Sequence, residues 1–220
     1  AMTMKLTKRI VILAAAIGLV GASQAAQDTV RYSARPQGSQ VTIAGTSTLH
    51  DWTSDGKVIG GSIELEPAFT TDKSLKSVSS LTTKGKNPKA AIIIPIRSLK
   101  CSSGEKMDEM MQEAMNAKEH RNITYKLTEI VVKGDVPASG TPVKFDSKGE
   151  LAMSGKTKKI DMEIVMERMD DGQVRWSGEK ALKMTDYGIE PPAPKILGMS
   201  PIKTGDDVTV KFQWMTALRK

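Results

Sequence analysis

The sequence predicts an all-β fold: an antiparallel barrel of about eight strands with one prominent helix. Three observations predict it. Apolar residues recur with period two over most of the chain, turn residues separate these runs, and only SSGEKMDEMMQEAMNAKEH carries helical spacing. A parallel α/β sheet would need repeated helical crossovers, whereas hairpin-joined strands that close on themselves hide their edges.

The first 25 residues stand apart from this pattern. Lys5, Lys8 and Arg9 precede an apolar run over 10–21, and Ala22, Ser23, Gln24 and Ala25 follow. This is the order of a secretory signal, with cleavage expected after Ala25 and a single domain over 26–220. The roughly twelve-residue apolar run is too short to span a bilayer as a helix. Removing the leader lowers the basic count from 32 to 29 against 25 acidic residues, so the net charge falls from +7 to +4. The expected product is a mildly basic, soluble protein exported to the bacterial periplasm. The single cysteine, Cys101, excludes an intrachain disulfide framework and a cysteine-based metal cluster. It is read as a half-buried structural residue, with an intermolecular bridge or a redox-reactive thiol as alternatives.

The elements follow in order. Val41, Ile43 and Leu49 lie among threonines and small residues in SQVTIAGTSTLHDW, a twisted strand with Trp52 near its end. In KVIGGSIELEP, Ile59, Gly61, Ile63 and Leu65 alternate with Val58, Gly60, Ser62 and Glu64, and the glycine pair predicts a bend or bulge. A weaker strand is expected over 75–83 and a short apolar one over 90–96, ending near Pro95. The helix sets Met107, Met110, Met111, Ala114 and Met115 against Asp108, Glu109, Gln112 and Glu113 on the opposite side, with Ser102 or Ser103 as its cap. Its flexible, polarizable methionines suit either a cover for the sheet or a lid over a ligand.

The second half is more plainly β. Tyr125, Leu127 and Val131 define one face of a strand, and Val143, Phe145, Leu151 and Met153 belong to the next. A turn is expected over 139–142 and a tight reversal over 155–159. Ile160, Met162, Ile164 and Met166 then alternate with Asp161, Glu163, Val165 and Glu167 up to the Asp171-Gly172 hairpin. Val174, Trp176, Gly178, Lys180 and Leu182 form the following strand. A Pro- and Gly-rich loop over 186–205 leads to the last strand, with Val208, Val210, Phe212 and Trp214.

STLHDW at 47–52, IPIRSL at 94–99 before the Met-rich helix, YKLTEI at 125–130, GELAMSGKTKKI at 149–160 and KMTDYGI at 183–189 together resemble the YceI-like family. The resemblance covers roughly residues 39–214 and rests on the order of the motifs. It implies a secreted, lipocalin-like barrel that binds, sequesters or transports a polyisoprenoid or related long-chain amphiphilic lipid without covalent chemistry. A polyisoprenoid, an isoprenoid quinone or a fatty-acyl lipid is the implied ligand, and no cofactor is required.

Alternation supplies the candidate ligand contacts: Ile43, Leu49, Trp52, Ile63, Leu65, Met107, Met111, Met115, Tyr125, Leu127, Met153, Met162, Ile164, Trp176, Tyr187, Phe212 and Trp214. Ordinary core packing is the competing role for each, because parity does not say which face points inward. His50, His120, Arg121 and Lys183 are candidates for a polar entrance that meets a headgroup. Lys156, Lys158 and Lys159 make a basic hairpin, read as a headgroup contact or a solvated turn. Two histidines without a ligand constellation give no metal site.

Three other functions compete. His50 and Asp51 beside Trp52 raise an enzyme acting on a lipid-like substrate, although adjacent strand residues point to opposite faces. A stress-related structural barrel would have neither ligand nor reaction. Nucleic-acid binding is not expected, since no zinc-finger or helix-turn-helix pattern is present. A lipid carrier implies a membrane-associated donor or acceptor, and the apolar helix stripe leaves homo-oligomerisation open.

Overall fold

A computed structural model describes residues 29–136, 141–193 and 202–219; the expected leader and parts of the turn at 139–142 and the loop at 186–205 lie outside these residues. The strands are β1 Val30–Ala34, β2 Gln40–Ser47, β3 Trp52–Gly56, β4 Gly60–Leu65, β5 Lys89–Pro95, β6 Lys100–Cys101, β7 Asn122–Val132, β8 Val143–Met153, β9 Lys156–Arg168, β10 Val174–Lys183 and β11 Thr204–Leu218. Two short helices, α1 Ser79–Thr82 and α2 Glu105–Ala114, interrupt them. Eight strands close an antiparallel barrel in the order β1, β4, β5, β7, β8, β9, β10, β11, with β11 returning to β1. The long β11 serves two neighbours along one edge: Thr216 and Leu218 lie in its ladder with β1, whereas Thr204 to Gln213 face β2, which continues through β3 to β6.

Because successive side chains alternate, one parity of each strand faces the barrel interior. One end of that interior is filled. Tyr32, Ile63, Leu65, Leu127, Ile130, Phe145, Ile164, Met166 and Trp176 are all buried there, and the segment that follows β4 closes the end with Phe69, Leu75, Val78 and Leu81, none of which is exposed. Each such side chain contributes roughly 1.5–3 kcal/mol of burial before the entropy of ordering the segment is counted. Arg168, the last residue of β9, latches this plug. Its guanidinium lies 3.9 Å from the Phe69 ring centroid and donates to the Phe69 and Asp72 carbonyls, while Tyr32 meets the same ring edge-on at 5.2 Å.

The plug replaces the strand expected over 75–83. Leu75, Val78 and Leu81 recur at a spacing of three, which places them together on one side of a turn-and-helix segment. The serines between them satisfy local acceptors instead of a sheet ladder. Asp72 accepts from the backbone and hydroxyl groups of Ser74 and Ser77, and Glu66 accepts from Ser80 N–H and from the Ser79 and Ser80 hydroxyls. Burial pushes the Glu66 carboxyl up, but these hydrogen bonds outweigh it and hold the pKa below its ordinary value.

Four further expectations change in detail. A register shift between Leu127 and Glu129 reverses the parity of β7, so Ile130 rather than Val131 is buried. The reversal expected over 155–159 is tighter, with Ser154 and Gly155 both at positive φ and Lys156 already in β9. Gly104, not Ser102 or Ser103, precedes α2, because Ser102 is drawn to β3 by hydrogen bonds with the Thr53 backbone. Asp108 is not on the solvent side of α2 but buried. At Gly61 the bend is real: φ is +120°, and a Cβ added there would lie 2.0 Å from the Ala91 carbonyl oxygen.

Candidate functional site: an apolar cavity under a methionine-bearing helix

The other half of the barrel interior is open and encloses a cavity of about 170 Å³. Its walls are the same inward parity read further along each strand. Ile92 and Ile94 of β5, Ile123 and Tyr125 of β7, Leu151 and Met153 of β8, Ile160 and Met162 of β9, and Val208, Val210, Phe212 and Trp214 of β11 line it, with Val41 and Ile43 of β2 opposite. Neighbouring strands run antiparallel, so the filled and lining positions swap order from one to the next. In β7 Tyr125 is the last lining residue before buried Leu127, and in β9 Met162 is the last before Ile164. These residues mark the floor.

Three aromatic rings reach across the walls because the position each one covers is glycine. A Cβ added at Gly149 would fall 2.3 Å from the Tyr125 ring, one at Gly45 2.3 Å from Trp52, and one at Gly178 2.9 Å from Phe212. Removing the side chain underneath lets the ring lie against the sheet rather than fill the cavity.

Helix α2 covers one flank, with Met107, Met111 and Ala114 facing the cavity and Met115 just beyond its end. A buried carboxylate fastens it. Asp108 accepts from Lys100 Nζ at 2.8 Å and from the Cys101 backbone N–H at 2.6 Å; the Lys100 contact foremost, then the amide, holds its pKa below the usual carboxylate range. The Met111 sulfur lies 3.4 Å from Ser54 Oγ and 3.8 Å from Cys101 Sγ. Cys101 is half-buried, and burial pushes its thiol pKa up, which favours the unreactive protonated form.

A second flank is closed without a ladder. β9 and β10 pair only as far as Ile164 opposite Gly178, although both strands continue past that point. The turn Thr185–Tyr187 sits against the unpaired stretch, with Tyr187 buried and Asp186 bridged to Lys158 of β9 at 3.2 Å.

Of the sequence candidates, Ile43, Trp52, Met107, Met111, Met115, Tyr125, Met153, Met162, Tyr187, Phe212 and Trp214 line the cavity. Ile63, Leu65, Leu127, Ile164 and Trp176 have the correct parity but lie in the filled half, where packing leaves no space beside them. Leu49 is 55% exposed, because β2 ends at Ser47, whose hydroxyl accepts from the Leu49 and His50 N–H groups and turns the chain. Among the entrance candidates only Lys183 reaches the rim, paired with Asp207 at 2.9 Å. His50 is exposed and its Nδ1 faces the Asp51 backbone carbonyl at 2.8 Å, so the two side chains form no acid–base pair. His120 lies over Gly155, and Arg121 is exposed. Lys156, Lys158 and Lys159 are solvent-exposed on β9.

Sequence reading passed over Ile92, Ile94, Ile123, Leu151, Ile160, Leu182, Val208 and Val210, all of which line the cavity. The parity that selected Tyr125 and Met162 contains most of them too. What it lacks is depth along the barrel. Among the described residues no group of three or more His, Cys, Asp or Glu side chains gathers to hold a metal, and no helix is long and apolar enough to cross a membrane.

Comparison with known proteins agrees with this architecture. The model of the YceI-like domain family matches residues 32–215. No curated protein matches the chain. Among solved structures, the chain is similar to a polyisoprenoid-binding domain from Saccharophagus degradans implicated in plant cell wall breakdown, with a TM-score of 0.60, 15% identity, and coverage of 86% of this chain and 98% of that one. BcnA of Burkholderia cenocepacia gives a TM-score of 0.58 at 16% identity, over 83% of this chain and 98% of that chain. The YceI protein of Campylobacter jejuni gives 0.50 at 18% identity, over 76% and 84%. At these identities the structures establish a shared fold, and the match over residues 32–215 establishes more: the chain belongs to the YceI-like family.

Proposed function

We propose that this protein holds a polyisoprenoid or related long-chain amphiphilic lipid non-covalently in its barrel, and sequesters or carries it between membrane-associated partners in the periplasm. The observation that carries the proposal is the cavity itself, enclosed almost entirely by aliphatic, aromatic and methionine side chains. Each methylene moved from water into such a lining gains about 0.8 kcal/mol before association costs, so chain length alone builds affinity. The volume of about 170 Å³ is below the roughly 300–1,000 Å³ common for compact drug-sized ligands, and a slender chain fits it better than a broad ring system. Six lining methionines, Met107, Met111, Met115, Met153, Met162 and Met184, allow the walls to move aside as a chain enters. The similar Saccharophagus degradans domain, which binds polyisoprenoid, supports the same class of ligand.

Gentle purification followed by solvent extraction and mass spectrometry tests the reading. The expected result is a prenyl or acyl lipid at near-stoichiometric amount. Protein that is consistently empty and takes up neither prenyl nor acyl chains on reconstitution would overturn it.

A further inference from the structure

Where β9 and β10 part beyond Ile164 and Gly178, the barrel wall has no ladder, and one charged side chain crosses it. Among the described residues only two charged side chains line the cavity, Lys180 and Lys183 of β10. They differ in parity. Lys183 pairs at 2.9 Å with Asp207, which stands opposite it on the outer face of the ladder with β11. Lys180 shares the inward parity of Gly178 and Leu182, and it lies opposite Val210, itself a lining residue. Its ammonium nevertheless lies 3.6 Å from Asp161. The neighbours of Asp161, Ile160 and Met162, both line the cavity, so Asp161 stands on the outer face of β9, opposite Lys148 of β8. The Lys180 side chain therefore starts inside the barrel and ends outside it, through the seam where the two strands have separated. The contact that holds it there is loose. At 3.6 Å it exceeds hydrogen-bond length, and the Asp161 side chain is 84% exposed, so water screens the pair. Lys158, at the turn that covers the seam, meets Asp186 more closely, at 3.2 Å.

We infer that the seam between β9 and β10 is a head-group site, where Lys180 binds the anionic head of a lipid, a carboxylate or a phosphate, while the tail lies in the cavity. This rests on the lipid-holding reading above and specifies the charge of the head group and its place in the side wall. Lys180 carries the same order of polarity as such a ligand: its strand position belongs to the apolar lining, and its ammonium, on a side chain 30% exposed, stands at the seam. A ligand anion takes the place of a screened carboxylate, so little is lost in the exchange. Asp161, once displaced, keeps Lys148 opposite it. The new pair is better covered than the old one, because the ligand tail and the cavity wall shield one side of it from water, and a charge-assisted contact gains from that shielding. A neutral head leaves Lys180 with its loose pair, and a cationic head meets like charge.

Probes that share a tail and differ in head test this: dodecanoate against dodecanol, and farnesyl phosphate against farnesol, titrated at neutral pH below their micelle concentrations. In at least one pair the anion is expected to bind at least about tenfold more tightly than its alcohol. The pair that shows the preference names the source, an acyl carboxylate or a prenyl phosphate, and a preference in both assigns the shared anion. Lys180→Met keeps an unbranched side chain without the charge, and it should shrink the ratio to below about threefold while leaving alcohol binding within about threefold. Lys180→Arg and Lys183→Met should both retain the preference. In ¹H–¹⁵N spectra of the unaltered protein, the backbone amides of Asp161 and Lys180 should move further with the anion than with its alcohol. Equal affinities within both pairs, or a preference that survives Lys180→Met, would overturn the seam site while leaving lipid binding intact. Should that variant fail to fold, Asp161 and Lys180 amides that respond alike to anion and alcohol would overturn it. If no probe binds, the lipid-holding reading falls and this inference falls with it.

Discussion

Tyr125, Phe212 and Trp52 share a device that matters at the scale of single residues. Each ring lies where a glycine on the adjacent strand leaves room, so the cavity owes part of its width to atoms that are missing from the sheet. The tightest case that lies wholly within the closed ladder is Tyr125 on Gly149, where an added Cβ would approach the ring to 2.3 Å. Gly149→Ala is therefore expected to destabilise the fold by roughly 1–3 kcal/mol in chemical denaturation, the usual cost of overpacking. Because both groups compete for one space, the double variant Gly149→Ala/Tyr125→Val should cost less than the sum of the two single changes. Additive losses would show that the glycine acts through its backbone instead. From sequence, these glycines read as interruptions of otherwise regular strands. Their partners stand out in the sequence as apolar residues, with no sign that a ring and a glycine belong together, since the pairing runs between strands.

Two polar attachments hold the elements that close the barrel. For α2 the attachment is Asp108, whose carboxylate the Lys100 ammonium and Cys101 N–H keep ionised. A folded-state pKa below the unfolded one stabilises fully above the unfolded value, about 4, and that contribution fades as pH falls through the folded value. Amide protection factors of α2 should accordingly drop more than those of β8 as the pH falls below about 4, and Asp108→Asn should remove most of that difference. Asp108→Ala, which also strips the Cys101 N–H of its acceptor, is expected to cost about 1–3 kcal/mol of local opening energy at neutral pH. Unchanged protection in both variants would show that methionine packing alone holds the helix. At the opposite end, Arg168 ties the plug to β9 through the Phe69 ring and two carbonyls. Arg168→Met keeps much of the side-chain volume but loses the hydrogen bonds, and a loss of roughly 1.5–3 kcal/mol in urea unfolding is expected. The helix was legible in its methionine spacing. The plug was not, because Leu75, Val78 and Leu81 form too short a run to distinguish a turn from a weak strand, and only the carboxylates of Glu66 and Asp72 on the serines settle it.

At the scale of the whole molecule, one continuous interior is divided into a packed half and an open half, and the proposed ligand would complete the packing. A ligand that binds the folded state alone stabilises it by about 2.7 kcal/mol at a hundredfold excess over Kd. For a domain of this size that corresponds to a rise in Tm of roughly 5–10 °C. A bound prenyl or acyl lipid should produce such a shift, and stripping it by solvent or hydrophobic resin should reverse it; a Tm indifferent to both treatments would count against a ligand that fills the cavity. The antiparallel class, the succession of hairpins, the one prominent helix and the alternation of side chains along most strands were all determined by the order of residues, because alternation and turn chemistry are local properties of a chain; which alternate face turns inward was not. Nor was depth. Ile164 and Met162 are two residues apart on one face and chemically alike, yet one is packed into the core and the other borders the cavity. Which of them meets open space depends on where the plug ends and where β11 passes from β1 to β2, and those are relations between segments more than a hundred residues apart that exist only once the barrel has closed.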